Sequence, residues 1–179
     1  MSDRPSKSRL LNRFFTGVTE HAFYVHLGVA DPPLVDYVAE LLTRFCRHDQ
    51  LFQVRSSNGR RLNQVVEMMQ EARSRVGEAQ REVHRHIGDF TLFWTGLYPE
   101  AVEKFRDTGK PDSLIDYRAQ GKKAYEVASQ IPASQEKVGA GLLARLSHEF
   151  ELCAYGLGEV RREWERREGP DGLMPLWIN

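Results

Sequence analysis

An all-α fold follows from three features of this sequence. Apolar residues recur at three- and four-residue steps nearly everywhere. The segments rich in Gly, Pro, Asn and Ser between them are short, as in antiparallel helical neighbours. Strand signals are confined to Leu51-Phe52-Gln53-Val54, too few residues to build a sheet. The expected architecture is a single-domain helical bundle of about six or seven helices with a long C-terminal helix. A disordered N-terminal segment (1–9) precedes the helical domain (10–168), and an apolar tail (169–179) follows it.

The first helix carries Leu11, Phe14, Val18, Ala22, Val25 and Val29 as one stripe, with an interruption expected near Gly17 and a stop near Gly28. Asp31-Pro32-Pro33 opens the second, because Asp can cap the orphan amides and proline at the first helical turn gives up no hydrogen bond. That helix should bury Leu34, Val38, Leu41, Leu42 and Phe45, with Arg44, Arg47 and His48 near its C-terminal, negative dipole end. Arg55-Ser56-Ser57-Asn58-Gly59 is turn chemistry.

Two helical stretches then run over residues 60–96, continuous or kinked near Gly77, with stripes Leu62, Val66, Met69, Val76 and Val76, Val83, Ile87, Phe90, Trp94, Leu97. Gly96 reads as a stop and Pro99 as a restart, for a short helix to about Arg106. After the Thr108–Asp112 loop, Asp112 or Ser113 should cap a helix lined by Leu114, Tyr117, Gly121, Tyr125 and Ala128. Ile131-Pro132-Ala133 ends it. Ser134 should cap a final helix reaching about Arg167, burying Val138, Leu142, Leu146, Cys153, Leu157, Val160 and Trp164.

Composition narrows the function. Lys+Arg and Asp+Glu both number 25, so the net charge is zero, which speaks against a nucleic-acid binder or a polybasic membrane protein. No apolar run is long enough for a bilayer span, and Met1–Arg9 has no apolar core of a secretory signal. Cys46 and Cys153 show no metal spacing and fit two thiols in a reducing compartment, so a cytoplasmic location is expected. Cys46 lies near a helix C-terminus, where the dipole disfavours a thiolate. No nucleophile elbow, P-loop, dinucleotide fingerprint or Cys-x-x-Cys motif is present, so the reading leans away from an enzyme, and no cofactor is expected.

Three constellations merit weighing. Glu78, Glu82, His86 and Asp89 fall on one helical stripe, and carboxylates with imidazole suit iron, manganese or zinc. Neither the Glu-x-x-His step of di-iron bundles nor His-Glu-x-x-His occurs, so a solvated or capping face is the favoured reading, with no metal site. Arg118 and Glu149 both sit on apolar stripes, and buried charges must pair. They are expected to face inward and neutralise each other as a register-fixing ion pair. The alternative is a small-molecule or metal-binding pocket of His86, Asp89, Arg118, Tyr125 and Glu149. Residues 55–85 hold seven arginines against four glutamates, but the signs alternate without interleaved aromatics, which reads as a solvated face rather than a nucleic-acid surface.

The tail is different. Gly169-Pro170 breaks the last helix, and Leu173-Met174-Pro175-Leu176-Trp177-Ile178 is strongly apolar. Leu173, Met174, Leu176, Trp177 and Ile178 are therefore the candidate interaction residues, folding back on their own bundle or docking on a partner subunit.

Three segments together resemble a known pattern: Gly88-Asp89-Phe90-Thr91-Leu92-Phe93-Trp94-Thr95-Gly96-Leu97-Tyr98-Pro99-Glu100, then Gly121-Lys122-Lys123-Ala124-Tyr125, then Leu146-Ser147-His148-Glu149-Phe150. In order and rough spacing they resemble a set of uncharacterised all-α bacterial proteins with a GD-x-x-LF-x-x-G-(F/Y)-PE … G-x-x-AY … L-x-x-x-F pattern, here with Leu97 standing between Gly96 and Tyr98. The resemblance covers about residues 34–160. It implies a self-contained bacterial helical domain and carries over no catalytic residue. Gly121 reads as a close helix crossing. The combined expectation is a non-enzymatic protein–protein interaction or oligomerisation module, a homodimer or part of a larger assembly, with no nucleic-acid and no membrane partner.

Overall fold

Residues 7–106, 109–134 and 138–168 are described by the structure, a computed structural model, and they are all-α. The helices are α1 (Lys7–Glu20), continued by a π-helical turn (His21–His26), α2 (Pro32–Phe45), α3 (His48–Leu51), α4 (Val65–Ser74) and α5 (Gly77–Leu97). After them come α6 (Pro99–Arg106), a 3-10 turn (Pro111–Leu114), α7 (Tyr117–Gln130), α8 (Ala140–His148) and α9 (Phe150–Glu168). The Leu51–Val54 alternation forms no strand; the loop after it holds one isolated antiparallel bridge, Arg55 to Arg61, closed by a turn at Gly59 with φ +82°. No helix among the described residues is long and apolar enough to cross a membrane. The expected disorder of residues 1–9 falls mostly outside the described residues, though 7–9 are helical; the tail 169–179 lies wholly outside them.

The chain divides into two compact units, Met1–Leu51 with Tyr155–Asn179 and Phe52–Ala154. In the first, α1 packs along α2. Asp31 caps α2 as expected, its Oδ1 accepting from the Leu34 amide at 3.2 Å, and Leu34, Val38, Leu41, Leu42 and Phe45 are buried. The α1 stripe differs from expectation. Phe15, Val18, Ala22 and Phe23 are buried, whereas Leu11 and Val25 are exposed. Tandem Phe14-Phe15 makes two helix phases equally apolar, and the inner one belongs to Phe15. The π-helical turn, whose wider winding advances fewer degrees per residue, then carries Val25 outward. Gly17 interrupts nothing.

In the second unit α5 is the central rod, packed by α4 and α7, with α8 against α7. From His86 to Trp94 every α5 residue is buried, the all-round burial of an interior helix. Gly88 and Gly121 make the α5–α7 crossing. A Cβ on Gly88 would lie 2.6 Å from the Tyr125 ring, and one on Gly121 would overlap Thr91 Oγ1 and the Phe150 ring. Gly121 is thus a close crossing, as read from the sequence. Gly96 is not a stop: it lies buried within α5, and the restart is at Pro99.

Other expectations shift by a residue or a partner. Through α4 the core row is Val65, Met68 and Ala72, preceded by Leu62 in the loop before it, rather than Leu62, Val66, Met69 and Val76; Val76 is exposed in the break before α5. Leu114 is exposed in the 3-10 turn, and α7 is capped by Asp116, which accepts from the Arg118 and Ala119 amides at 3.0 and 3.1 Å. The long last helix is two helices, parted by a turn at Glu149, and Ser134 caps neither. Its buried row is Leu143, Leu146, Phe150, Cys153, Leu157 and Val160.

Candidate functional site

The residues with the most chemistry are the buried polar groups of the second unit, and each is set by the helix that carries it. On α5, Asp89 is fully buried and accepts a 2.7 Å hydrogen bond from the Tyr125 hydroxyl of α7. One turn earlier, His86 is buried with its Nδ1 3.0 Å from Gln53 Nε2. This contact ties the imidazole of α5 to the loop that follows α3. Thr91 turns its hydroxyl back onto the Ile87 and Gly88 carbonyls at 2.7 and 3.0 Å, which satisfies it within its own helix.

Two further groups work at helix ends. Asp112, buried in the 3-10 turn, accepts from the Val65 and Val66 amides at 2.8 and 2.9 Å and from the Tyr117 hydroxyl at 2.7 Å. It therefore caps α4, whose own N-cap residue Gln64 supplies no side-chain bond. Burial, followed by the Asp112 charge and hydrogen bond, pushes the Tyr117 hydroxyl well above the ordinary tyrosine range. Arg81, also buried, donates from Nε to the Ala128 carbonyl at 3.2 Å and from Nη2 to Val138 at 2.7 Å. Its fork ties the last turn of α7 to the segment before α8.

The five pocket residues read from the sequence are therefore only partly assembled. Asp89 and Tyr125 meet at the α5–α7 crossing, whereas His86 turns to Gln53 in the loop after α3. Arg118 and Glu149 do not join them and do not pair. The buried row of α7 is Tyr117, Gly121, Ala124, Tyr125 and Ala128, which leaves Arg118 exposed. Phe150 occupies the inward position at the start of α9, which leaves Glu149 half-exposed, 3.7 Å from His148 Nε2. The inward ion pair is overturned by this one-residue rotation.

The acidic stripe is likewise spoken for residue by residue. Glu78 Oε1 accepts from the Ser134 amide and from its hydroxyl at 2.6 Å, and Glu82 pairs with Arg85 at 2.7 Å. Among the described residues no group of three or more His, Cys, Asp or Glu is arranged to hold a metal ion.

A surface groove runs between α7 and α8, lined by Lys122, Lys123, Glu126, Ser147 and His148. Lys122 is 2.7 Å from Glu151, and Lys123 is 3.4 Å from Glu126, so both cations already face carboxylates. The Lys122 hydrogen bond holds the Glu151 carboxyl below its usual range. Neither cysteine is disulfide-bonded, and burial pushes the Cys46 thiol up to about 12.

Sequence reasoning missed Arg81, Gln53 and the true partners of Asp112. Only the uninterrupted burial of His86–Trp94 had a local signal, the apolar run around Gly88-Asp89. No protein-family model matches this sequence, and no curated protein or solved structure matches it.

Proposed function

We propose that this chain is a non-enzymatic helical protein of the bacterial cytoplasm that works through protein contacts, its partner being a second copy of itself. The observation that carries this reading is the apolar surface of the first unit. Val25 is 66% exposed and Tyr155 56% exposed, each within two residues of the contact in which the Phe23 ring covers Gly156. Tyr24 adds a third large apolar side chain at the surface. Such a patch costs solvation in an isolated chain and is removed from water when two copies meet face to face.

The buried polar groups support the same reading. Asp89, Asp112 and Arg81 each hold a helix end or a crossing, and His86 ties α5 to the loop at Gln53, as structural connectors do. The cytoplasmic setting rests on the two widely separated cysteines, Cys46 and Cys153, which show no metal spacing. The bacterial setting rests on the resemblance of the Gly88–Glu100, Gly121–Tyr125 and Leu146–Phe150 segments.

Sedimentation equilibrium of the whole chain tests the reading. The unaltered protein should sediment as a dimer, and Val25→Asp with Tyr155→Asp should sediment as a folded monomer. A wild-type chain that stays monomeric into the high micromolar range would end it.

A further inference from the structure

The contacts inside the first unit fix how α1 and α9 lie against each other. The Phe23 ring covers Gly156, and the Phe14 and Phe15 rings meet the Trp164 indole edge-on at 6.2 and 5.7 Å. Phe15 lies eight residues before Phe23, and Trp164 lies eight residues after Gly156. The two helices therefore run antiparallel in register, and one more turn sets Leu11 level with Glu168, the last residue of α9. At that level α1 shows water an apolar face: Leu10 is 51% and Leu11 42% exposed, one turn from the Phe14–Trp164 contact.

The chain leaves α9 at this point. After Gly169-Pro170-Asp171-Gly172 it continues as Leu173-Met174-Pro175-Leu176-Trp177-Ile178. Five residues beyond Glu168 span up to about 17 Å, while packed helix axes lie about 8–10 Å apart, so the first of these apolar residues reaches Leu10 and Leu11 without strain. We propose that the segment Leu173–Ile178 of the same chain seats on the Leu10–Leu11 face of α1, extending the Phe14–Trp164 aromatic contact past the end of α9. Attachment selects this occupant over the tail of a second copy. A short tether gives an effective concentration on the order of millimolar, above that of any partner chain in a dilute solution. The inference goes beyond the self-association reading and does not depend on it.

The test is a disulfide trap in the full chain, with Leu11→Cys and Leu176→Cys in a Cys46→Ser background. Leu11 is exposed, so its replacement by cysteine leaves the core of the described residues intact. A matched control puts the first thiol at Val25→Cys, 14 residues and so about 21 Å further along α1 and its π-helical turn. Under mild oxidation at low micromolar concentration, the Leu11 pair should close within one chain, seen as a compact monomer on a non-reducing gel, about tenfold faster than the Val25 pair. Amide exchange over Leu10–Phe14 should also quicken several-fold when the chain is cut back to Gly169. A covalent dimer as the main product, equal closure rates for the two pairs, or unchanged exchange after truncation would each overturn the proposal. Intrachain closure in a chain that sediments as a monomer keeps this inference and ends the self-association reading.

Discussion

Tyr125 donates a 2.7 Å hydrogen bond to Asp89 at the same α5–α7 crossing where Gly88 lets the tyrosine ring descend onto the helix backbone. The two features depend on each other, because the hydroxyl reaches the carboxylate only if the ring lies flat against a residue without a Cβ. Gly88→Ala forces that ring to move, and overpacking of this kind costs about 1–3 kcal/mol. Tyr125→Phe removes the donor but keeps the ring and should cost about 1–3 kcal/mol, the penalty for disturbing a buried polar pair. The double variant should cost less than the sum of the two, since once the ring is displaced the hydroxyl has little left to lose. Urea unfolding of the four proteins measures this; strict additivity would show the crossing and the hydrogen bond to be independent.

Asp112 links three elements through one carboxylate, so its loss should exceed that of an ordinary helix cap. Asp112→Ala should destabilise by about 2–4 kcal/mol, a cap together with a buried hydroxyl left without its acceptor. Tyr117→Phe removes only one of the three bonds and should cost less.

Tyr117 also gives a pH signature. Its hydroxyl is held above the unfolded value of about 10, so between the unfolded and folded values the native chain binds a proton that the unfolded chain has released. Its contribution is fully present below pH ~10 and is lost above it, at about 1.4 kcal/mol per pH unit for one proton. Alkaline denaturation followed by circular dichroism should therefore be shallower in Tyr117→Phe than in the parent protein. Parallel curves would remove Tyr117 from the account.

Helix type, Asp31 as a cap, Pro99 as a restart and Gly121 as a close crossing were all legible because each has a local cause within four residues. Helix phase was not. Phe14-Phe15, Val65-Val66, Met68-Met69 and Leu142-Leu143 are adjacent pairs of similar apolar residues, and either member completes a plausible stripe. Only tertiary packing chooses, and in these four pairs it favours Phe15, Val65, Met68 and Leu143. The same ambiguity placed Arg118 and Glu149 inside. The Asp112 cap on α4 bridges 47 positions, which no local pattern announces.

Arg81 should tolerate neither neutralisation nor a change of shape. Its fork holds two carbonyls on separate segments, so Arg81→Met should cost about 2–3 kcal/mol, the range for hydrogen bonds made by a charged donor. Arg81→Lys keeps the charge but offers a point donor in place of a planar fork, so it should recover less than half of the loss. Hydrogen exchange localises the effect: amides in the last turn of α7, up to Ile131, should lose protection while those of α4 keep theirs. Uniform loss across both helices would mean Arg81 acts on global stability alone.

Cys46 offers a test of the non-enzymatic reading that needs no mutation. The thiolate, not the thiol, attacks an alkylating reagent, and burial pushes this thiol up to about 12. At pH 8 its thiolate fraction should be roughly 10³-fold below that of an ordinary cysteine near 8.5. Iodoacetamide labelling of the native protein, read by peptide mass, should therefore be slow at Cys46 and rise about tenfold per pH unit up to the onset of alkaline unfolding. The slope separates two explanations. A residue that is merely shielded would label slowly but level off near pH 9, whereas a thiol raised by burial keeps accelerating. Fast labelling at neutral pH would instead mark Cys46 as an activated nucleophile and reopen the question of catalysis.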